Sequence, residues 1–519
     1  MTTTMKTMKK RISRIVTAVL VAGVSLTLTC CGAKSEETTV NEQTVVKPIT
    51  GTWVNLAYKD VRNKYTNPAS VDESSPELWR AKVREWSAMG LEYLVLMEVA
   101  NECKAYYPSK LMPWIYDSAQ CSPVEAILDE ASLHDMKVFM STGWAKDQDD
   151  NLLDPAIKQR QLEIMEEIAT LYKESPAFYG WYLPVEDCLC PIFAEHAVQS
   201  VNALVERAHQ LTPGKKTLIS PYGISLSDFD NPEYEQQMGK LKVDIIAYQD
   251  EIGCVREPFP LPRLRENWKR LHAIHQKLNI EFWANCETFT WEAGTNDRQS
   301  ALIPAAYSRL LAQQAAASVA GVDRIVSFMF DGLIEHPDSP YQLGQPKWSN
   351  QLYQHYMAWL HGDPYWKLME ASMTDRLQNA ASPSVTQDAN CSTLFDGLVA
   401  EEDTTDIHWK KFNSGDQEIL IDRKQECTPV KQIMIRTLNY QRGGITPPAK
   451  FALYASNDGQ SYQLLAIKDA PIFPNQNHDA WIDGVLFDQF QTNARYLKIA
   501  FHVANATCID EIYLNPEIR

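Results

Sequence analysis

Short runs of apolar and β-branched residues recur along the first two thirds of the chain, each followed by a longer segment. The longer segments, such as PELWRAKVREWSAMG and AIKQRQLEIMEEIATLYK, place apolar residues three or four positions apart, the spacing of a half-buried helix. This alternation predicts βα units around a parallel sheet. The predicted strands are 52–58, 92–99, 137–144, 178–186, 217–223, 243–250, 281–287 and 324–330.

Eight strands of this kind are the number that closes a (β/α)8 TIM barrel, an α/β fold that we expect over 50–365. The alternative is an open doubly wound sheet, which usually carries a glycine-rich phosphate-binding turn after its first strand. Neither GxGxxG nor GxxxxGK[ST] occurs in the sequence, which favours the barrel.

The strand and helix rhythm ends after Gly362. Residues 366–389 include most of the polar stretch ASMTDRLQNAASPSVTQDAN and are predicted to form a linker. Residues 390–519 contain short alternating segments, such as QEILID, KFALYAS and ARYLKIAF, with turn signals between them. Alternation of period two without long helical segments predicts an all-β sandwich domain.

The N-terminus is typical of a bacterial lipoprotein signal peptide, predicted over 1–30. Basic residues precede an apolar run over 15–28, which is shorter than the roughly 20 residues that span a bilayer. The run ends at a lipobox-like Leu-Thr-Cys-Cys, which makes Cys31 the predicted lipidation site and 31–49 a polar tether. The alternatives are lipidation at Cys30, or a secretory signal with two incidental cysteines. We expect an exported lipoprotein, anchored at the outer membrane, the cell surface or the periplasmic face.

Composition and motifs exclude several other classes of protein. The chain has 519 residues, of which 45% are hydrophobic and 22% charged, as in folded globular proteins. Its formal net charge of −17 argues against a nucleic-acid partner, because phosphate binding needs a basic surface. No GxSxG elbow occurs and no HxH ends the first strand, so we expect no serine esterase, no metal in the barrel and no cofactor for catalysis.

Acidic residues stand where two predicted strands end, and reactive groups of a barrel gather at the carboxyl ends of its strands. Strand four ends at Glu186 and strand seven at Glu287, on opposite sides of the predicted barrel mouth. Two carboxyl groups can hydrolyse a glycosidic bond: one protonates the leaving oxygen, and the other attacks the anomeric carbon or activates water. We predict that Glu186 and Glu287 are catalytic; their separation, and with it retention or inversion, stays open.

Other strand-end residues are predicted to bind the substrate, because aromatic faces stack on sugar rings and carboxylates bind hydroxyl groups. The predicted set is Glu98, Trp144, Tyr222, Tyr248, Asp250, Glu251, Trp283, Trp291 and Asp331. Each has a structural alternative. Strand-end acids can cap helices or bind loop amides, and aromatic residues can pack in the core.

The segments GWYLPVE, IIAYQDEIG and FWANCETF, in this order, resemble a bacterial TIM-barrel family of unknown function that is similar to glycoside hydrolases. The resemblance covers roughly residues 50–362. Glu186 and Glu287 also match the acid/base and the nucleophile of the large retaining barrel clan of glycosidases. That clan usually has asparagine directly before the acid/base, whereas this chain has Val185.

The C-terminal region is similar to discoidin-like modules of the coagulation factor five/eight type C class, through LFDG, YASNDGQSY, ARYLKIAF and IDEIYL. Such a module implies carbohydrate binding and a structural calcium ion, with Asp396 and Glu511 at the candidate positions. Trp409 and Arg442 are candidate loop contacts. The alternative is a structural spacer without a ligand.

These patterns together predict an exported lipoprotein glycoside hydrolase that cleaves a complex polysaccharide or oligosaccharide, with a retaining two-carboxylate mechanism expected from the resemblance. The first alternative is a non-catalytic surface lipoprotein that captures oligosaccharides. The second is an adhesin that binds host glycoprotein through its sandwich domain.

Overall fold

The computed structural model describes residues 45–56, 74–115, 122–146, 150–186, 189–253, 259–293, 300–381, 393–424, 428–473 and 480–519. The predicted signal peptide, Cys31 and most of the predicted tether lie outside these residues, so the lipidation site stays a prediction. Within the described ranges, no helix is long and apolar enough to cross a membrane.

Eight parallel strands close into a barrel, which confirms the predicted TIM-barrel architecture. They are β1 (Ile49–Val54), β2 (Tyr93–Leu96), β3 (Lys137–Ser141), β4 (Phe178–Tyr182), β5 (Lys216–Ile219), β6 (Ile245–Gln249), β7 (Glu281–Glu287) and β8 (Arg324–Phe328). Each strand pairs with the next, and β8 pairs with β1, with Ser327 opposite Thr52. Two short hairpins, Ala100–Asn101 with Lys104–Ala105 and Phe289–Trp291 with Leu302–Pro304, extend the loops after β2 and β7.

Helices alternate with the barrel strands and continue beyond the last of them. They are α1 (Pro76–Ala88), α2 (Pro123–Leu133), α3 (Pro155–Tyr172), α4 (Glu195–Leu211), α5 (Pro232–Met238), α6 (Leu261–His275), α7 (Tyr307–Ala320), α8 (Pro346–Leu360) and α9 (Pro364–Met373). Most begin with proline, whose missing N–H costs nothing in the first turn. Ser122, Asp154, Asn231 and Asp363 cap four of them by accepting backbone N–H groups.

The C-terminal region is an antiparallel β structure, as predicted. Its strands are β9 (Leu377–Asn379), β10 (Lys410–Asp422), β11 (Ile433–Asn439), β12 (Lys450–Ser456), β13 (Gln463–Asp469), β14 (Trp481–Phe487), β15 (Tyr496–Leu514) and β16 (Pro516–Ile518). The long β15 pairs along its length with β10, and also with β12 in its first half and β11 in its second. The discoidin-like assignment of this region stays a prediction.

The predicted linker over 366–389 is wrong for its first part, where α9 and β9 form. Trp366 and Met369 are buried on α9, and β9 pairs with the final strand β16. Polar residues surround these apolar positions, so the sequence pattern did not indicate the helix. This helix packs between the barrel and the C-terminal sheets. The barrel and the C-terminal sheets belong to one compact unit, Thr44–Arg519, in which the Tyr365 hydroxyl donates to the Gly484 carbonyl at 3.0 Å.

Candidate active site

A polar layer lies above the apolar filling of the barrel, at the carboxyl ends of β5, β6 and β7. Alternate residues of a strand face the same side, so Asn285 and Glu287 follow the inward-facing Trp283 along the interior of the barrel. Gln249 stands opposite Asn285 in the strand register. The Asn285 amide donates to the Ser220 hydroxyl at 3.1 Å, and the Gln249 amide donates to the Ser220 carbonyl at 3.0 Å. We call Ser220, Gln249 and Asn285 the mouth layer.

Glu287 is the last residue of β7 and is only 3% exposed. Its Oε2 accepts the backbone N–H of Gly253 at 2.7 Å. Glycine is needed there, because a Cβ on Gly253 would lie 2.2 Å from the Phe289 carbonyl oxygen. The carboxylate is therefore held in one orientation by the backbone of a neighbouring loop, which preorganises it.

The backbone of Glu287 is fixed as well as its side chain. Its N–H donates to Asp250 Oδ1 at 3.2 Å, and its carbonyl accepts Arg309 at 2.9 Å and Gln313 at 3.1 Å. Gln313 also donates to Asp250 Oδ2 at 2.6 Å. These contacts come from Asp250, directly after β6, and from α7, which together hold the end of β7 from outside the barrel.

Glu186 lies four residues beyond β4 and is half-buried. The chain turns before it, where the Val185 N–H donates to the Leu183 carbonyl at 2.7 Å. Glu186 Oε1 lies 3.4 Å from the Gln249 amide nitrogen of the mouth layer. Gln249 therefore connects Glu186 to the layer that contains Asn285, two residues before Glu287.

Tyr182 and Glu98 complete the acidic side of the mouth. Burial raises the pKa of Tyr182 well above its ordinary value, and the charges of Glu186 and Glu98 raise it further. Both carboxylates are thus close enough to act on the Tyr182 phenol. Glu98 is itself buried, so a buried phenol lies near two carboxyl groups on this side of the mouth.

A cavity of about 220 Å³ opens beside Glu186, between the loops after β3 and β4 and the helices α3 and α4. Its polar lining includes Trp144, Asp150, Glu186 and His196. The Trp144 indole N–H donates to the Pro184 carbonyl at 3.3 Å, which fixes the ring in the cavity wall. An aromatic ring among carboxylates in a concave site suits a hydroxylated ligand.

Three predicted substrate-binding acids are placed in the scaffold. Asp250 is fully buried, lies behind Glu287 and also accepts the Ile252 N–H. Glu251, at φ 56°, accepts the N–H groups of Gly223 at 2.9 Å and Ser225 at 2.8 Å. Asp331 accepts the Asn55 N–H at 3.0 Å where β8 meets β1. All three carboxylates bond backbone amides at strand ends, so they support the scaffold, and direct substrate contact by them stays a prediction.

Two predicted aromatic contacts also lie elsewhere. The Tyr248 hydroxyl is 2.7 Å from His275 Nε2 on α6, and its ring packs against Trp268 between barrel and helix. Trp283 fills the barrel interior, where it packs edge-on against Tyr93 and donates to Glu281 at 3.2 Å. Both side chains are buried, which corrects the prediction that they stack on sugar. Tyr222, half-buried after β5, and Trp291, buried in the hairpin after β7, stay predictions.

Comparison with known proteins gives the family of the chain. The family described as a domain of unknown function (DUF4434) matches residues 49–341, more than half of the chain. The chain belongs to the DUF4434 family. This confirms the resemblance to a family of unknown function. No curated protein matches the sequence.

The DUF4434 chain is similar in structure to barrels of the glycoside hydrolase class. A candidate alpha-L-fucosidase from Bacteroides thetaiotaomicron is 18% identical, with 64% of this chain and 99% of that chain covered and a TM-score of 0.49. A glycoside hydrolase family 5 protein from Bacteroides vulgatus is 11% identical, with 82% and 86% covered and a TM-score of 0.37. An intracellular xylanase from Thermoanaerobacterium saccharolyticum is 15% identical, with 59% and 95% covered and a TM-score of 0.34.

The candidate calcium position in the C-terminal region of this DUF4434 protein is an acidic pair. Burial, with the charges of Asp510 and Asp396, raises the pKa of Glu511 to about 8. Glu511 accepts the Gly397 N–H at 3.2 Å and lies 3.4 Å from the Asn379 amide nitrogen. Across the described residues, no group of three or more Asp, Glu, His or Cys side chains could hold a metal ion. Backbone carbonyl oxygens can also bind calcium, so the ion stays a prediction from the resemblance.

Sequence reasoning missed the amides of this DUF4434 site, Gln249 and Asn285, and the clamp residues Arg309 and Gln313. The period-two pattern of β7 could have found Asn285, because it shares a face with Glu287. No local signal identifies Arg309, which lies 22 residues after the carbonyl that it binds.

Proposed function

We propose that this protein is a glycoside hydrolase in which Glu186 and Glu287 are the two reacting carboxyl groups. The observation that carries the proposal is the fixed, inward-facing Glu287 carboxylate at the end of β7, with Glu186 on the same rim beside Gln249 of the mouth layer. A carboxylate whose backbone and side chain are both immobilised is suited to attack a sugar carbon, because little reorganisation is needed.

In the proposed mechanism, Glu186 protonates the glycosidic oxygen while Glu287 attacks the anomeric carbon, which forms a covalent glycosyl-enzyme and releases the aglycone. Glu186 then takes a proton from water, whose oxygen attacks the same carbon and frees Glu287. Half-burial suits the role of Glu186, since the water that returns its proton in the second step must reach the residue from solvent. This is the retaining course, and it needs both residues.

The proposed substrate is a polysaccharide or oligosaccharide. The cavity beside Glu186 contains Trp144 in its wall and lies on the side of the proposed acid, where the leaving group departs. The proposed location follows from the sequence: export by the signal peptide 1–30 and lipidation of Cys31. Labelling with a radioactive fatty acid tests this, because Cys31→Ala should remove the label.

The decisive experiment measures release of reducing ends from plant, algal and host glycans by residues 32–519. Glu186→Gln and Glu287→Gln should each lower kcat by at least about 100-fold, since general acid catalysis contributes about 10²–10⁴-fold. Glycan affinity by calorimetry should stay within a factor of about two, because the amide keeps the shape of the side chain. Glu206→Gln is the matched control, since Glu206 is 58% exposed on α4.

Equal turnover in all three variants would refute the assignment of the two glutamates. Glycan affinity without any turnover in the unaltered protein would instead establish the oligosaccharide-capturing lipoprotein.

A further inference from the structure

Helix α7 is buried on nearly every side: within Tyr307–Ala320, all residues except Val319 are buried. It packs against β7 of the barrel and against β14 of the C-terminal sheets. A helix so enclosed is expected to be apolar all round. Instead, α7 carries polar side chains on its first turns, and these connect the two regions.

Toward the barrel, α7 clamps the end of β7. Arg309 donates to the carbonyl of Glu287 at 2.9 Å and to that of Phe289 at 2.8 Å. Gln313, one turn later, binds the Glu287 carbonyl and Asp250 Oδ2 together. The position of the first two turns of α7 therefore sets where the Glu287 backbone lies.

Toward the C-terminal sheets, the start of α7 is bound by Asp483. The Ser308 hydroxyl donates to Asp483 Oδ1 at 2.6 Å, while Asn439 and Trp481 each donate to Oδ2 at 3.0 Å. Asp483 is 1% exposed. Three donors on one buried carboxyl group form a rigid anchor rather than a solvated surface contact.

The start of α7 has no side-chain cap of its own, because its N-cap residue is Ala306. An acid near the N-terminus of a helix stabilises the unpaired N–H groups and the positive end of the helix dipole. Asp483 supplies that acid from another region of the chain, 175 residues away from Ser308.

We propose that Asp483 is a positioning residue for Glu287, acting through Ser308 and α7. This inference rests on the proposed function for its catalytic meaning, since Glu287 is the proposed nucleophile. It assigns the C-terminal sheets a part in building the barrel's site, in place of the role of an independent module. Loss of the Ser308 contact loosens the first turn of α7, and Arg309 then holds the two carbonyls less firmly.

The test uses two variants of the full chain, Ser308→Ala and Asp483→Asn. Ser308→Ala removes one hydroxyl group and leaves Asp483 with its other two hydrogen-bond donors. Ser308→Thr keeps the hydroxyl and is the rescue variant. Asp469→Asn is the matched control, because Asp469 is 72% exposed on β13. The first measurement is hydrogen–deuterium exchange of the peptide 281–293. We expect faster exchange with Ser308→Ala and Asp483→Asn, and unchanged exchange with Ser308→Thr and Asp469→Asn.

The second measurement is steady-state kinetics on a glycan that the unaltered protein cleaves. Ser308→Ala should lower kcat by about tenfold and leave KM within about twofold, because a small displacement of a reacting group slows chemistry more than binding. Unchanged exchange of 281–293 in Ser308→Ala, or an unchanged kcat in an active protein, would overturn the inference, even if thermal stability fell. An unaltered protein without turnover would refute the proposed function, while the exchange data would still decide whether Asp483 positions the end of β7.

Discussion

Replacing Lys82 by methionine should cost the protein about 3 kcal/mol of folding free energy. Lys82 lies on α1, and its Nζ is 2.8 Å from Glu335 Oε1, with both side chains 1% exposed. Glu85 lies 3.2 Å from the same Nζ. Burial alone would lower the pKa of Lys82, but the charges of Glu335 and Glu85 outweigh it and raise that pKa. The lysine is thus charged and buried where α1 packs against the loop after β8.

The magnitude follows from what the substitution leaves behind. Breaking a buried ion pair on one side costs about 3–5 kcal/mol, because the remaining charge stays buried without its partner. Glu335 keeps the N–H groups of Leu343 and Gly344, both at 2.9 Å, so we expect the lower end of this range. Methionine retains most of the packing of the lysine stem.

The assay is thermal and urea unfolding of Lys82→Met beside Lys242→Met. Lys242 pairs with Glu206 at 2.6 Å, but the two side chains are 57% and 58% exposed, and such a pair contributes about 0–1 kcal/mol. At about 2 °C per kcal/mol for a protein of this size, Lys82→Met should lower Tm by about 6 °C and Lys242→Met by at most about 2 °C. Adding Glu335→Gln to Lys82→Met should recover part of the loss. Equal losses in the two single variants would refute the reasoning.

Two further predictions concern pH. Burial raises the pKa of Asp331 to about 8. Between about pH 4 and pH 8, the folded state therefore keeps a proton that the unfolded state has lost. The free energy of unfolding then falls as the pH rises. Asp331→Asn cannot ionise, so its stability relative to the unaltered protein should rise with pH by up to about 1.4 kcal/mol per unit; a constant difference in urea unfolding from pH 5 to pH 8 would contradict this. For activity, kcat/KM should be bell-shaped in pH, because Glu186 must be protonated and Glu287 ionised; a monotonic profile through pH 4–9 would count against the pair.

The barrel could be predicted from the sequence because its strands are buried apolar runs of the right length and spacing. The strand ends were less predictable, since the segment at 178–186 continues as a strand only to Tyr182. Residues 183–186 follow the strand without belonging to it, and they form the loop that carries Glu186. The error at α9 has a similar cause: a helix can be formed by a few apolar positions, such as Trp366 and Met369, within a polar segment.

The faces of the strands explain which aromatic predictions were wrong. On β6, Ile245 and Ala247 fill the barrel, so Gln249 faces the mouth and Tyr248 points toward α6. On β7, Trp283 shares the inward face with Glu287 but lies four residues below it, inside the packed core. The alternation of side chains along a strand determines which face of the strand a residue lies on. Its distance from the end of the strand determines how deep in the barrel it lies. Both were present in the sequence once the strand bounds were known.

The same geometry explains why only some strand-end acids remain candidates for chemistry. Where a parallel strand leaves the barrel, its neighbours' N–H groups lose their partners, and a nearby carboxylate is well placed to accept them. Glu251 is occupied in this way by Gly223 and Ser225, and Asp331 by Asn55. Glu287 differs because its position on β7 turns its carboxylate into the barrel. A second acid, Asp250, accepts the backbone N–H of Glu287 from outside the barrel. An acid that supports the backbone thus stands directly behind the acid proposed to react, and the sequence alone shows them only as two similar residues at two strand ends.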